Sequence, residues 1–139
     1  MFQTEREAEA ALEGLSMTMN PETASEEVFS EEHLVPLMVY GNAIEMGIYD
    51  IPFGVREWFD NLSIAFLDAA MEHLIKTLKE DFLPIKGRMS DVDKMDLNGI
   101  HQARLALIRA GFGREQLYLL NPAHNAEYSA LWAELQGQQ

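Results

Sequence analysis

The chain has 139 residues, no cysteine, 47% hydrophobic residues and a formal net charge of −13. That length and apolar content suffice for one core without covalent staples, and the missing thiols exclude a disulfide framework, a thiolate zinc site, an iron–sulfur cluster and a cysteine nucleophile. The charge argues against nucleic acid or an anionic membrane as the main partner. Glutamates stand near the start where an export signal needs basic and apolar residues, and no run of about 18 uncharged apolar residues is present, so a soluble, cytoplasmic protein is expected.

The charge is unevenly spread. Residues 1–32 hold nine acids against Arg6 alone, a net −8, whereas residues 86–114 hold six bases against Asp91, Asp93 and Asp96, a net +3. Residues 1–20 are expected to form an acidic N-terminal arm free to fray, with a solvated helix over 4–14 that Gly14 terminates. Asn20-Pro21 is the pattern of a cap followed by proline at the first helical position, and Glu22, Glu26 and Glu27 suit the start of a helix, where the macrodipole favours anions. Ser30 offers a second cap. Pro36 would interrupt a continuous helix, so a new one is expected from about Val35 to Gly47. Within it Ala43 and Gly47 would admit a close neighbour, and Gly41 and Gly47 lower its intrinsic stability.

After a turn at 48–54, Val55, Trp58, Phe59, Leu62, Phe66, Ala69, Ala70, His73 and Leu74 recur at helical spacing. One long helix is therefore expected over about 55–83, broadly apolar and central to the domain, ending at Pro84. Ser90-Asp91-Val92-Asp93 resembles a capping box that opens a helix to Ala110, with Gly111 as its cap. A short helix is expected over 114–120. Asn121-Pro122 then opens a last helix carrying Tyr128, Leu131, Trp132 and Leu135 on one face, ending at Gly137. No alternation of strand period appears. The fold class expected is all-α: one compact helical bundle over 1–139, with four to five main helices around the 55–83 helix and little or no sheet.

Chemistry is harder to find. None of His33, His73, His101 and His124 sits in a metal-binding helix motif; the nearest grouping would be Glu31, Glu32 and His33 beside Glu72 and His73. Asp91, Asp93, Asp96, Asn98 and Gly99 miss the register of a calcium loop, and capping explains these acids more simply. Gly111-Phe112-Gly113 lacks the third glycine and preceding strand of a dinucleotide fingerprint. Asp68 and Glu72 share a helical face, without the surroundings that acid–base work needs. The sequence thus names no catalytic residue, cofactor or metal ligand and leans away from an enzyme.

What remains is a surface. The leading expectation is a non-enzymatic protein that works through protein contacts, as an assembly, adaptor or accessory subunit that binds another protein or copies of itself. The partner-binding candidates are Glu22, Glu26, Glu27, Glu31, Glu32, the adaptable Met38 and Met46, and the bases Arg104, Arg109 and Arg114. The alternative is an acidic inhibitor that mimics nucleic acid before a basic protein. A small accessory protein of viral or mobile-element origin fits either reading. A third is a small enzyme or ligand binder with a site between helices, at Glu72, His73 or Arg104.

Overall fold

A computed structural model describes residues 4–111 and 122–137. Those residues form helices and turns, with no strand among them, so the all-α bundle expected from the sequence is what forms. In chain order the helices are α1 (Glu5–Ser16), α2 (Leu34–Glu45), α3 (Phe53–Asp60), α4 (Ile64–Thr77), α5 (Asp91–Gly111) and α6 (Pro122–Gln136). Short 3-10 turns, Pro21–Glu26 and Glu31–His33, join α1 to α2. The helix expected over 114–120 lies outside the described residues.

Several local signals act as their chemistry predicts. The Asn20 side chain accepts from the Glu22 N–H at 3.0 Å with Pro21 at the first position. At the α5 start the reciprocal box forms: Asp93 N–H donates to Ser90 Oγ at 3.1 Å, and Ser90 N–H donates to Asp93 Oδ2 at 2.9 Å. Gly47 ends α2 with φ of +78°, a left-handed conformation that favours glycine. Gly14 instead lies inside α1, which runs on to Ser16. That helix is less solvated than its composition implied, because Ala8 and Leu12 are buried against α2 and α3.

The continuous helix expected over 55–83 is a correction. It is broken between α3 and α4, where Ser63 caps α4 by accepting the Phe66 N–H at 3.0 Å. Leu62, within the break, is fully buried, so the apolar register carries across an interruption that periodicity cannot register. Past Thr77 the backbone widens into a π turn over Leu78–Phe82, closed by Leu83 N–H to Leu78 O. Proline at 84 accounts for the widening: its ring excludes the normal carbonyl position four residues back, and it has no N–H to offer.

The most enclosed element is α2. Leu37 and the continuous run Val39–Ala43 are buried, so its neighbours cover that run, while Val35 and Glu45 near its ends stay exposed. Its largest contact among the described residues is with α5. The two backbones meet directly at Gly41, where a Cβ would stand 1.7 Å from the Gln102 carbonyl oxygen. At Gly99 a Cβ would stand 3.2 Å from Met38 Sδ, so a second glycine keeps the same seam narrow. Gln102 is buried and donates to Glu45 Oε1 at 3.4 Å. The close neighbour expected at Ala43 and Gly47 is thus admitted at Gly41, while Gly47 makes the turn.

The helix α6 lies against α4 and the π turn. Tyr128, Leu131 and Leu135 face inward, and Lys79–Glu127 and Lys86–Glu134 ion pairs clamp the rim. His101 of α5 stacks on Trp132 at 4.6 Å, with Nδ1 buried and unpartnered. Burial holds the His101 pKa below the ordinary 6.5; Glu45 opposes that shift and Arg104 reinforces it.

Gly41→Ala is expected to destabilise the chain by about 3 kcal/mol or more, since backbone must move to admit the methyl. Gly14→Ala, which meets nothing within 4 Å, is expected to stabilise it by about 0.5–1 kcal/mol through helix propensity. Urea denaturation of both variants checks the contrast. Because the folded state disfavours charged His101, the stability linked to its neutral form is intact above 6.5 and lost as pH falls. Wild type should therefore lose more stability than His101→Gln on acidification from neutral pH to about 5; equal losses would contradict this.

Candidate functional site

The acidic stretch and the start of α2 meet over an aromatic floor. Phe29, Phe66 and Trp58 surround the His33 ring: Phe66 is edge-on at 5.0 Å, Trp58 is near-parallel at 6.0 Å and Phe29 is at 6.1 Å. The buried imidazole is held by its own turn. Nδ1 accepts from the Ser30 N–H at 3.0 Å, which completes a capping box with histidine in the place where glutamate is usual. The neutral ring therefore carries its proton on Nε2, which lies 3.4 Å from Glu27 Oε2. Beside this group a cleft of about 580 Å³ opens between Met19, Thr23, Glu27, Glu32, Pro36 and Trp58.

Its surroundings combine negative charge with apolar surface. Glu22, Glu26, Glu31 and Glu32 are exposed and form no ion pair among the described residues. On the same stretch of chain Met17, Val28 and Val35 are 85%, 80% and 62% exposed. Sequence reasoning picked out the glutamates, but not Trp58 and Pro36 as cleft wall nor Val28 and Val35 as exposed apolar neighbours. Val28 falls between the two 3-10 turns, where periodicity cannot assign a face.

The other candidates fall elsewhere. Met46 is half-buried and caps α2. Met38 lines a cleft of about 500 Å³ with Phe82, Ile85 and Ile100, whose rim carries Asp81, Asp93 and Asp96. The Arg104 guanidinium lies 4.4 Å above the Tyr128 ring, a packing role that leaves its Nε buried and unpartnered. The Tyr128 hydroxyl is likewise buried without a partner, and burial raises its pKa far above the ordinary value, with Arg104 pulling the other way. Arg109 is exposed at the far end of α5, where it lines a small cleft with Tyr40. Arg114 lies outside the described residues. No ion pair among the described residues joins the acidic 1–32 stretch to the bases of 86–111.

The grouping of Glu31, Glu32 and His33 with Glu72 and His73 is only half assembled. Phe29 touches both histidine rings, His33 at 6.1 Å and His73 at 5.4 Å. Glu72 turns instead toward His124 Nε2 at 3.6 Å, while Asp68 Oδ1 approaches Nδ1 at 3.8 Å. His124 comes from α6, so no spacing in the sequence announces this contact. No group of three or more His, Asp or Glu able to hold a metal occurs among the described residues, and none of the described helices is long and apolar enough to cross a membrane.

His33→Ala is expected to cost about 2–3 kcal/mol, through a lost cap and a cavity beneath Phe66, with Trp58 emission shifted to the red; urea titration followed by fluorescence measures both. Comparison of the chain with family models, with curated proteins and with solved structures finds no match.

Proposed function

We propose that the chain is a docking protein that receives a basic, apolar-bearing segment of another protein along residues 17–36. The observation that carries this reading is the alternation of four exposed glutamates, which form no ion pair among the described residues, with Met17, Val28 and Val35 beside an aromatic-floored cleft. Apolar anchors in a partner would leave water on that floor, and its lysines or arginines would meet the glutamates. Long-range attraction would speed the encounter, and salt would slow it. A pure nucleic-acid mimic would present anions to a phosphate-binding groove; the interleaved apolar side chains favour an amphipathic peptide over that alternative. On grounds of composition the docking is placed in the cytoplasm.

The test is affinity capture from the native host with wild type and with a variant carrying Gln at Glu22, Glu26, Glu31 and Glu32. A partner held by wild type, released by salt and weakened about tenfold or more in the variant is expected, since four charge contacts each contribute a few tenths to one kcal/mol. A partner held equally by both would contradict the proposal. If the captured protein is the chain itself, sedimentation at low and high salt should show a dimer that dissociates as salt rises.

A further inference from the structure

We propose that a second cleft, on the face of α2 toward α3 and the end of α5, binds a small organic anion: a carboxylate or phosphate monoester borne on an apolar ring. The cleft measures about 330 Å³ and is lined by Arg56 and Arg109 together with Tyr40 and three isoleucines. Two guanidiniums facing one hollow repel each other, and a chain of net charge −13 offers many carboxylates to neutralise them. Yet neither arginine forms an ion pair among the described residues. Positive charge left uncompensated in a concave, partly apolar setting is what an anion would complete.

The hollow is built rather than incidental. The Tyr40 ring is buried, stacked on Phe59 at 4.1 Å, so its hydroxyl position is set by the core. The Arg109 guanidinium stands near that hydroxyl and acts on it electrostatically. The fork of the guanidinium, which lines the cleft, offers its N–H groups to a ligand. Both arginines act electrostatically on the Tyr40 hydroxyl from opposite elements, α3 and α5, as does the exposed carboxylate of Asp60. Asp60 does not line the cleft, so an anion would enter at the arginines' N–H groups.

The opposite wall sets the rest of the ligand. Ile44, Ile48 and Ile51 present branched aliphatic surface, and Tyr49, a flat ring, stands 90% exposed at the rim. The volume is at the small end for a ligand site, enough for about one ring plus its anionic group. Such a ring would lie on the isoleucines with Tyr49 able to cover it. This site is separate from the acidic stretch and takes a ligand of opposite charge.

The experiment follows backbone amide NMR shifts of the whole chain on titration with phenyl phosphate, with inorganic phosphate and benzylamine as comparison probes. Saturable shifts confined to residues 40–56 and the neighbourhood of Arg109 are expected with phenyl phosphate. Weaker binding is expected for inorganic phosphate, and none for benzylamine. Arg109→Gln and Arg56→Gln should each weaken phenyl phosphate about tenfold, the loss of one charged hydrogen-bond donor, while Lys94→Gln should leave it unchanged. Arg56 makes no ion pair among the described residues, so its variant gives a readout even if Arg109→Gln disturbs folding. Absent saturation, shifts mapping to another face, affinity unchanged in the Arg56 variant or equal binding of benzylamine would overturn the site. Inorganic phosphate binding as tightly as phenyl phosphate would overturn the ring-bearing ligand.

Discussion

The approach of α2 to α5 at Gly41 governs where everything else in this chain can stand. A side chain of even one carbon at that position would meet the Gln102 carbonyl at 1.7 Å, so the two helices can lie this close only with glycine there. Gly99, facing Met38, keeps the same seam narrow a turn earlier on α5. Glycine within a helix costs about 1 kcal/mol relative to alanine; the contact recovers that cost through the burial of Leu37, Tyr40, Ala103, Ala106 and Leu107. With the seam set, α1 packs on α2, α4 packs on α5, and α6 covers α4.

Both clefts inherit their positions from this arrangement. Tyr40 adjoins Gly41, and Arg109 lies two turns along α5 from Gln102, so their meeting in one cleft depends on the narrow spacing. His33 ends the turn that leads into α2, and its ring sits on Trp58 of α3 and Phe66 of α4. The charge distribution resolves in the same frame. Lys79 and Lys86 pair with Glu127 and Glu134 of α6, and Arg104 is taken up by Tyr128. Exposed pairs of that kind add little stability each. Their larger consequence is that they occupy the bases at the α6 end of the molecule, far in sequence from the glutamates of residues 22–32.

Legibility from the sequence follows the range of the interaction. Caps are local, so Asn20-Pro21, Ser30 and Ser90 with Asp93 could be read from neighbours a few residues apart. The inward face of α6 and the extent of α5 were legible because 3.6-residue periodicity persists over many turns. The break at 61–63 was not, because Leu62 stays buried across it and the apolar phase never lapses. Gly41 read as a weakness of its helix; its reason is Gln102, 61 positions further on. The acidic surface was visible as composition, but the walls of its cleft were not, and the meeting of Arg56 with Arg109 had no signature in spacing. Histidine at the third position of a turn is an unusual capping partner, and nothing short of the fold distinguishes His33 from an ordinary core residue.

The most direct measurement of this account is the set of nuclear Overhauser contacts made by the Gly41 α-protons in the intact chain. Strong contacts to Gln102 and its neighbours on α5 are the predicted result, because only backbone-to-backbone proximity places those protons together. Gly41 α-protons that see only α2 and solvent, in a chain that is otherwise helical and folded, would contradict it and detach both clefts from their common support.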